Sequence, residues 1–131
     1  MFSDTELQVM TKHYLIACIW AYCPEGTNPR ASKRAIDRAR LHVQSFATAA
    51  GEYLRNAIDN PEYGMHPDCG DIAPGAAAAG HDLYLTSQGH GVGFWDRKAL
   101  KNGLGDMLTE VCEKINAPEP YFYRGWLYFV G

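Results

Sequence analysis

The apolar pattern of this chain changes character at Asp59, and that change limits the folds open to it. Up to Ile58, apolar residues recur at the three- and four-residue spacing of a helix face. From Asp82 onward they come mostly in short runs beside glycines, the pattern of strands joined by turns. Helices followed by strands build an α+β domain rather than an alternating α/β one. A chain of 131 residues suits one compact domain with a core of its own. The expectation is a single domain over residues 1–131. Two N-terminal helices pack on a small antiparallel sheet built as β-hairpin, helix, β-hairpin.

Leu7, Met10, Tyr14, Cys18, Ala21 and Tyr22 define the first helix, capped by Ser3 or Asp4 and stopped by Pro24 and Gly26. Leu15, Ile16, Ile19 and Trp20 make its end apolar all round, which predicts burial by neighbours on several sides. The second helix is the longest. Asn28 caps it, Pro29 fits its first position, and Ile36, Ala39, Val43, Phe46, Ala47, Ala50, Leu54, Ala57 and Ile58 keep the period. Gly51 marks a bend or break. Its first turns carry Arg30, Lys33, Arg34, Arg38 and Arg40, five of the 12 basic residues. Arg30, Arg34 and Arg38 are spaced four apart, away from the apolar stripe.

From Asp59 to Gly80, Pro61, Pro67, Pro74 and several glycines predict a long surface loop, acidic through Asp59, Glu62, Asp68 and Asp71. Ala76 to Ala79 fit at most a short helical turn within it. Asp82 to Ser87 suits a strand, Gln88 to Gly91 a turn, and Val92 to Trp95 a return strand. Leu104, Met107, Leu108, Val111, Cys112 and Ile115 then give an amphipathic helix, ended by Asn116 and Pro118. Tyr121 to Val130 reads as a second hairpin, turning near Arg124 and Gly125.

The stretch Gly80 to Arg97, GHDLYLTSQGHGVGFWDR, sets histidine, aspartate and arginine among glycines. It resembles the shared core of a family of small bacteriophage and prophage proteins, approximately G-H-D-F-W-L-T-R-N-G-H-G-x-G-F-W-D-R. Gly80-His81-Asp82, Leu85-Thr86, Gly89-His90-Gly91 and Gly93 to Arg97 carry the match. The family's next segment is similar to Gly103 to Glu110, and its final aromatic hairpin to Tyr121 to Val130. In the N-terminal half only Trp20 and Phe46 line up. The chain departs at Leu83-Tyr84, where the family has Phe-Trp, and at Ser87-Gln88, where it has Arg-Asn. The resemblance implies a phage-type accessory protein and brings no activity with it.

Chemically, His81, Asp82, Asp96 and Arg97 offer an acid, a base and an anion clamp. In a paired hairpin, His81-Asp82 would lie near Asp96-Arg97 at the open end, with His90 a strand's length away at the tip, about 17 Å. No nucleophile stands beside a base, so the stretch reads first as structural, with Phe94 and Trp95 on opposite faces. His66 and Cys69 precede His81 and Asp82, but these four lack the paired short spacings of a zinc site, and neither metal nor cofactor is expected. Gly89 to Gly93 joins two expected strands, so it is no dinucleotide fingerprint, and no phosphate-binding loop occurs. Cys18 and Cys112 read as free thiols packed on apolar helix faces.

A net charge of -3 is too mild for a DNA mimic and of the wrong sign for a general nucleic-acid binder. The longest apolar run, Tyr14 to Cys23, is half the length a bilayer crossing needs, and Asp4 and Glu6 spoil a signal peptide. The expected location is the host cytoplasm. The expected role is a non-enzymatic binder or inhibitor of a host protein, in defence evasion or host takeover. Arg30, Arg34, Arg38, His90, Trp95 and Trp126 are its candidate contacts. One alternative is a small enzyme or ligand-binding domain using the 80–97 hairpin. Another is nucleic-acid binding through the basic face of helix 29–45, against which stands the lack of aromatics among those arginines. Six of the 16 aromatic residues fall in Tyr121 to Val130, which marks that hairpin as a contact surface for a partner or a second copy.

Overall fold

In the computed structural model, which describes residues 1–23, 28–65, 71–89 and 91–130, the first helix starts at a capping box. The Ser3 hydroxyl accepts from the Glu6 N–H at 3.1 Å, and Glu6 Oε1 accepts from the Ser3 N–H at 3.0 Å. Helix α1 follows as Asp4–Tyr22. Its apolar second half is less covered than expected: Ile16 is exposed and Trp20 is 70% exposed. A helix against one flank of the core leaves part of its circumference free even when every residue there is apolar.

The second helix starts later than expected. Arg30–Ala31 is extended and forms strand β1, and Ser32 caps α2 (Lys33–Ala50) by accepting from the Ala35 N–H at 3.0 Å. Gly51 breaks the helix as expected, with φ at +51° and ψ at −121°, and α3 (Glu52–Asp59) resumes beyond it. Arg55 ties α3 back to α1, donating to both carboxylate oxygens of Glu6. That contact holds the Glu6 carboxyl down at about 2.

The larger correction concerns residues 59–97. The expected loop and first hairpin are replaced by a 3-10 turn at Tyr63–Met65, the helix α4 (Pro74–Ser87) and a second 3-10 turn at Phe94–Asp96. Pro74 sits in the first turn of α4, where its missing N–H costs nothing, and the four alanines after it are strong helix formers. Gly75 to Gly80 and Asp82 to Thr86 are all buried. Because α4 is covered all round by α1, α3 and both turns, it has no polar face, and no stripe marks it as a helix. Its last residues, Asp-Leu-Tyr-Leu-Thr, alternate by chance like a strand.

The sheet is correspondingly smaller and mixed. Helix α5 (Leu104–Glu113) leads to β2 (Glu119–Tyr123) and β3 (Trp126–Val130), paired antiparallel with Tyr121 opposite Tyr128. Arg124 and Gly125, both at positive φ, form the tight turn between them. Strand β1 pairs in parallel with β3, Arg30 opposite Trp126, giving the order β1-β3-β2. Among the described residues the fold is therefore five α-helices with one small three-stranded mixed sheet, in place of two helices on an antiparallel sheet of two hairpins. No helix among the described residues is long and apolar enough to cross a membrane.

The core is centred where α1 and α4 cross. Tyr14 packs edge-on against Tyr84 and His42, and Phe46 stacks on Phe94. The Tyr14 hydroxyl lies 2.7 Å from His42 Nδ1, and burial, aided by Arg38, pushes His42 down to about 4. His42 is thus neutral within the core. The crossing is close because Gly80 lacks a side chain: a Cβ there would sit on the carbonyl oxygen of Met10. Gly80→Ala, which would stabilise an exposed helix by up to about 1 kcal/mol, is expected here to cost about 1–3 kcal/mol. Urea denaturation checks this, and a more stable variant would contradict the close crossing.

Candidate functional site

Four residues of the 80–97 stretch were the candidate chemistry, and the fold brings two of them into direct contact. Asp82 is 1% exposed, midway along α4. Arg97, just past the second 3-10 turn, donates to Asp82 Oδ1 through Nη2 at 2.6 Å and spans both oxygens with Nε at 3.0 Å. The Tyr63 hydroxyl, from the first 3-10 turn, donates to Oδ2 at 2.7 Å. Burial pushes the Asp82 carboxyl up, but His81, Arg97 and Tyr63 together bring it below its ordinary value. His81 Nδ1 stands 4.0 Å from Oδ1, the longest of these contacts. The Asp82 bonds in turn push Arg97 up, against its partial burial. Asp96 is exposed at the end of the turn, its charge felt by Arg97.

Both oxygens of Asp82 are thus engaged by donors, and the group stays ionised and shielded from solvent. A general base needs a free lone pair within reach of a substrate proton. Asp82 instead clamps three chain segments. Thr86, one turn along α4, adds to this by accepting from the Phe94 N–H at 3.1 Å through Oγ1. The nearness of Asp82 to Arg97 is as expected, but a helix and a turn create it where a hairpin was expected. Tyr63 carried no signal: it falls in the stretch read as loop, and only the fold returns it to α4.

The other candidates disperse. Among the described residues, no group of three His, Cys, Asp or Glu is placed to hold a metal ion. His66, Cys69 and His90 lie outside the described residues, as do Pro24 and Gly26. Cys18 and Cys112 are buried free thiols, pushed by burial up to about 11 and about 12, which keeps them protonated. His13 and Lys12 of α1 meet Asp71 Oδ2 at 2.9 and 3.1 Å and hold that carboxyl at about 2. Phe94 is buried and Trp95 exposed, the expected opposition, although in a 3-10 turn.

The expected row of three arginines on one helix is broken up. Arg34 is exposed on α2, Arg38 is half-buried with its charge acting on His42 and Tyr14, and Arg30 stands on β1. The register of β1 sets Arg30 beside Trp126. Trp126 shares the outer sheet face with Tyr121, Tyr123, Tyr128 and Val130, because side chains alternate along a strand and Phe122, Leu127 and Phe129 turn inward. Tyr121, Tyr123 and Trp126 are 46%, 57% and 42% exposed. Tyr121 stacks on Tyr128 with ring centroids 5.3 Å apart, and the Arg124 guanidinium lies 5.2 Å over the Tyr123 ring. The molecule therefore has an ordered aromatic face edged by two arginines. The chain matches no family model, no curated protein and no solved structure.

Arg97→Met leaves the Asp82 charge buried without its main partner and is expected to cost about 3–5 kcal/mol of stability. Combining it with Asp82→Asn should recover part of that loss, because the double variant buries no charge. Thermal and urea denaturation of the single and double variants check the pair. A neutral Arg97→Met would contradict the clamp.

Proposed function

We propose that this chain is a non-enzymatic, phage-type accessory protein that binds a host protein, and that the outer face of its sheet is the docking surface. One observation carries the reading. Three exposed aromatic rings, a fourth stacked against one of them and two arginines occupy one face of a small sheet. Trp, Tyr and Arg are the residues that dominate binding energy where proteins meet. A sheet face has little reason to carry so much aromatic surface unless something covers it. The phage-type origin, and with it defence evasion or host takeover in the host cytoplasm, rests on the resemblance of Gly80 to Arg97 to phage and prophage proteins.

Two observations weigh against the alternatives. An enzyme built on Asp82 would need a carboxylate that the clamp already uses. A single-stranded nucleic acid would need free ring faces for its bases, but Tyr121 and Tyr128 face each other and Arg124 covers Tyr123.

The test is affinity capture from host extract with the wild-type chain and with Tyr123→Ser/Trp126→Ser. The reading expects one host protein, held by the wild type and lost at least about tenfold by the variant, which corresponds to about 1.4 kcal/mol. Equal capture by both chains, or recovery of a second copy of the chain alone, would overturn it.

A further inference from the structure

The arginines are not spread evenly over the sheet face. The Arg30 N–H donates to the Gly125 carbonyl at 2.9 Å, which places the start of β1 against the hairpin turn and brings Arg30 and Arg124 to the same end of the sheet. The Ser32 N–H donates to the Leu127 carbonyl at 3.1 Å, so Lys33 and Arg34, at the start of α2, follow directly. All four basic side chains are exposed. The one acid within the strands, Glu119, is at the far end of β2, four residues or about 13 Å from Tyr123. A chain with a net charge of -3 thus concentrates positive charge at one end of its aromatic face. At that end, Cys23, Pro29, Phe122, Tyr123 and Arg124 line a cavity of about 500 Å³ among the described residues.

We infer that the turn end of the sheet takes an acidic protein segment carrying an apolar side chain. Its carboxylates meet Arg30, Arg34 and Arg124, and its apolar side chain enters the cavity beside Phe122 and Tyr123. This rests on the proposed docking role of the sheet face and adds the chemistry of the partner. Guanidinium groups suit the site because they pair with carboxylates in a two-pronged geometry and pack on aromatic rings at the same time. The cavity has the size of a pocket that accepts one anchoring side chain or more. Tyr121 and Tyr128 stack on each other and Arg124 covers Tyr123, so the charged end lacks the run of open rings that successive bases need, which favours carboxylates over phosphates as the anions it meets.

The probe is a fluorescein-labelled glutamate–tyrosine copolymer, with a lysine–tyrosine copolymer and labelled oligo-dT as comparisons, read by anisotropy at low and moderate salt. The expected result is binding of the acidic copolymer that weakens with salt and falls at least about tenfold in Arg30→Glu/Arg124→Glu. Arg30→Gln/Arg124→Gln, which removes charge without reversing it, should weaken binding to a smaller degree and guards against misfolding of the reversal. Absence of binding, equal binding of the lysine copolymer, tighter binding of oligo-dT, or indifference to both arginine variants would each overturn the inference. If a host protein is captured through Tyr123 and Trp126 but tolerates both arginine variants, the docking role stands and only the acidic partner falls.

Discussion

The Asp82 carboxylate organises the structure. A charge buried in the middle of a helix is destabilising by several kcal/mol unless it is paired and its lone pairs are answered. Here Arg97 and Tyr63 answer them, and each comes from a different segment on either side of α4 in the chain. The 3-10 turn that carries Tyr63 and the one that ends just before Arg97 have few backbone hydrogen bonds of their own, so the carboxylate gives them a fixed position. With the turns in place, α4 is enclosed, and Phe94 reaches Phe46 on α2. The same enclosure lets α1 approach α4 closely enough to require glycine at position 80. One ionised group thereby sets where five parts of the chain meet.

This division of labour separates the motif from the surface. Gly80, Asp82, Thr86 and Arg97 all belong to the stretch from Gly80 to Arg97, and each is engaged inside the fold. Their chemistry is consumed in holding the core. Tyr121, Tyr123 and Trp126 lie together elsewhere, exposed on a hairpin whose inner residues pack on the core and whose outer residues do not. A rigid underside with a free, ring-rich outer face suits recognition, because the rings are already ordered before a partner arrives.

The elements that could be read from the sequence were those with a local chemical signature. The Ser3 cap, the break at Gly51, the amphipathic stripe of α5 and the turn at Arg124-Gly125 all depend on neighbours within a few residues, and all are present. Helix α4 failed because its evidence is global. Surrounded on every side, it needs no polar residues to mark a solvent face, and without them the period of 3.6 disappears. The start of α2 failed for a related reason: Asn28-Pro29 is a sound local start, but pairing with β3 holds Arg30 and Ala31 extended and passes the cap to Ser32. That same parallel pairing is what sets an arginine beside Trp126, a contact between residues far apart in the chain. The pairing of Asp82 with Arg97 was anticipated from their positions in an imagined hairpin, and their true contact arises from a different geometry.

The most direct test of this account is a carbon-13 NMR titration of the Asp82 side-chain carboxyl, followed together with amide exchange along α4. A carboxyl held below its unfolded value contributes stability above the ordinary carboxylate range and loses it as pH falls through the folded value. The account predicts a midpoint below the ordinary 3.8, with protonation accompanied by loss of protection in α4. A midpoint at or above 3.8 with α4 still protected would show a carboxyl free to exchange protons, and would contradict the clamp.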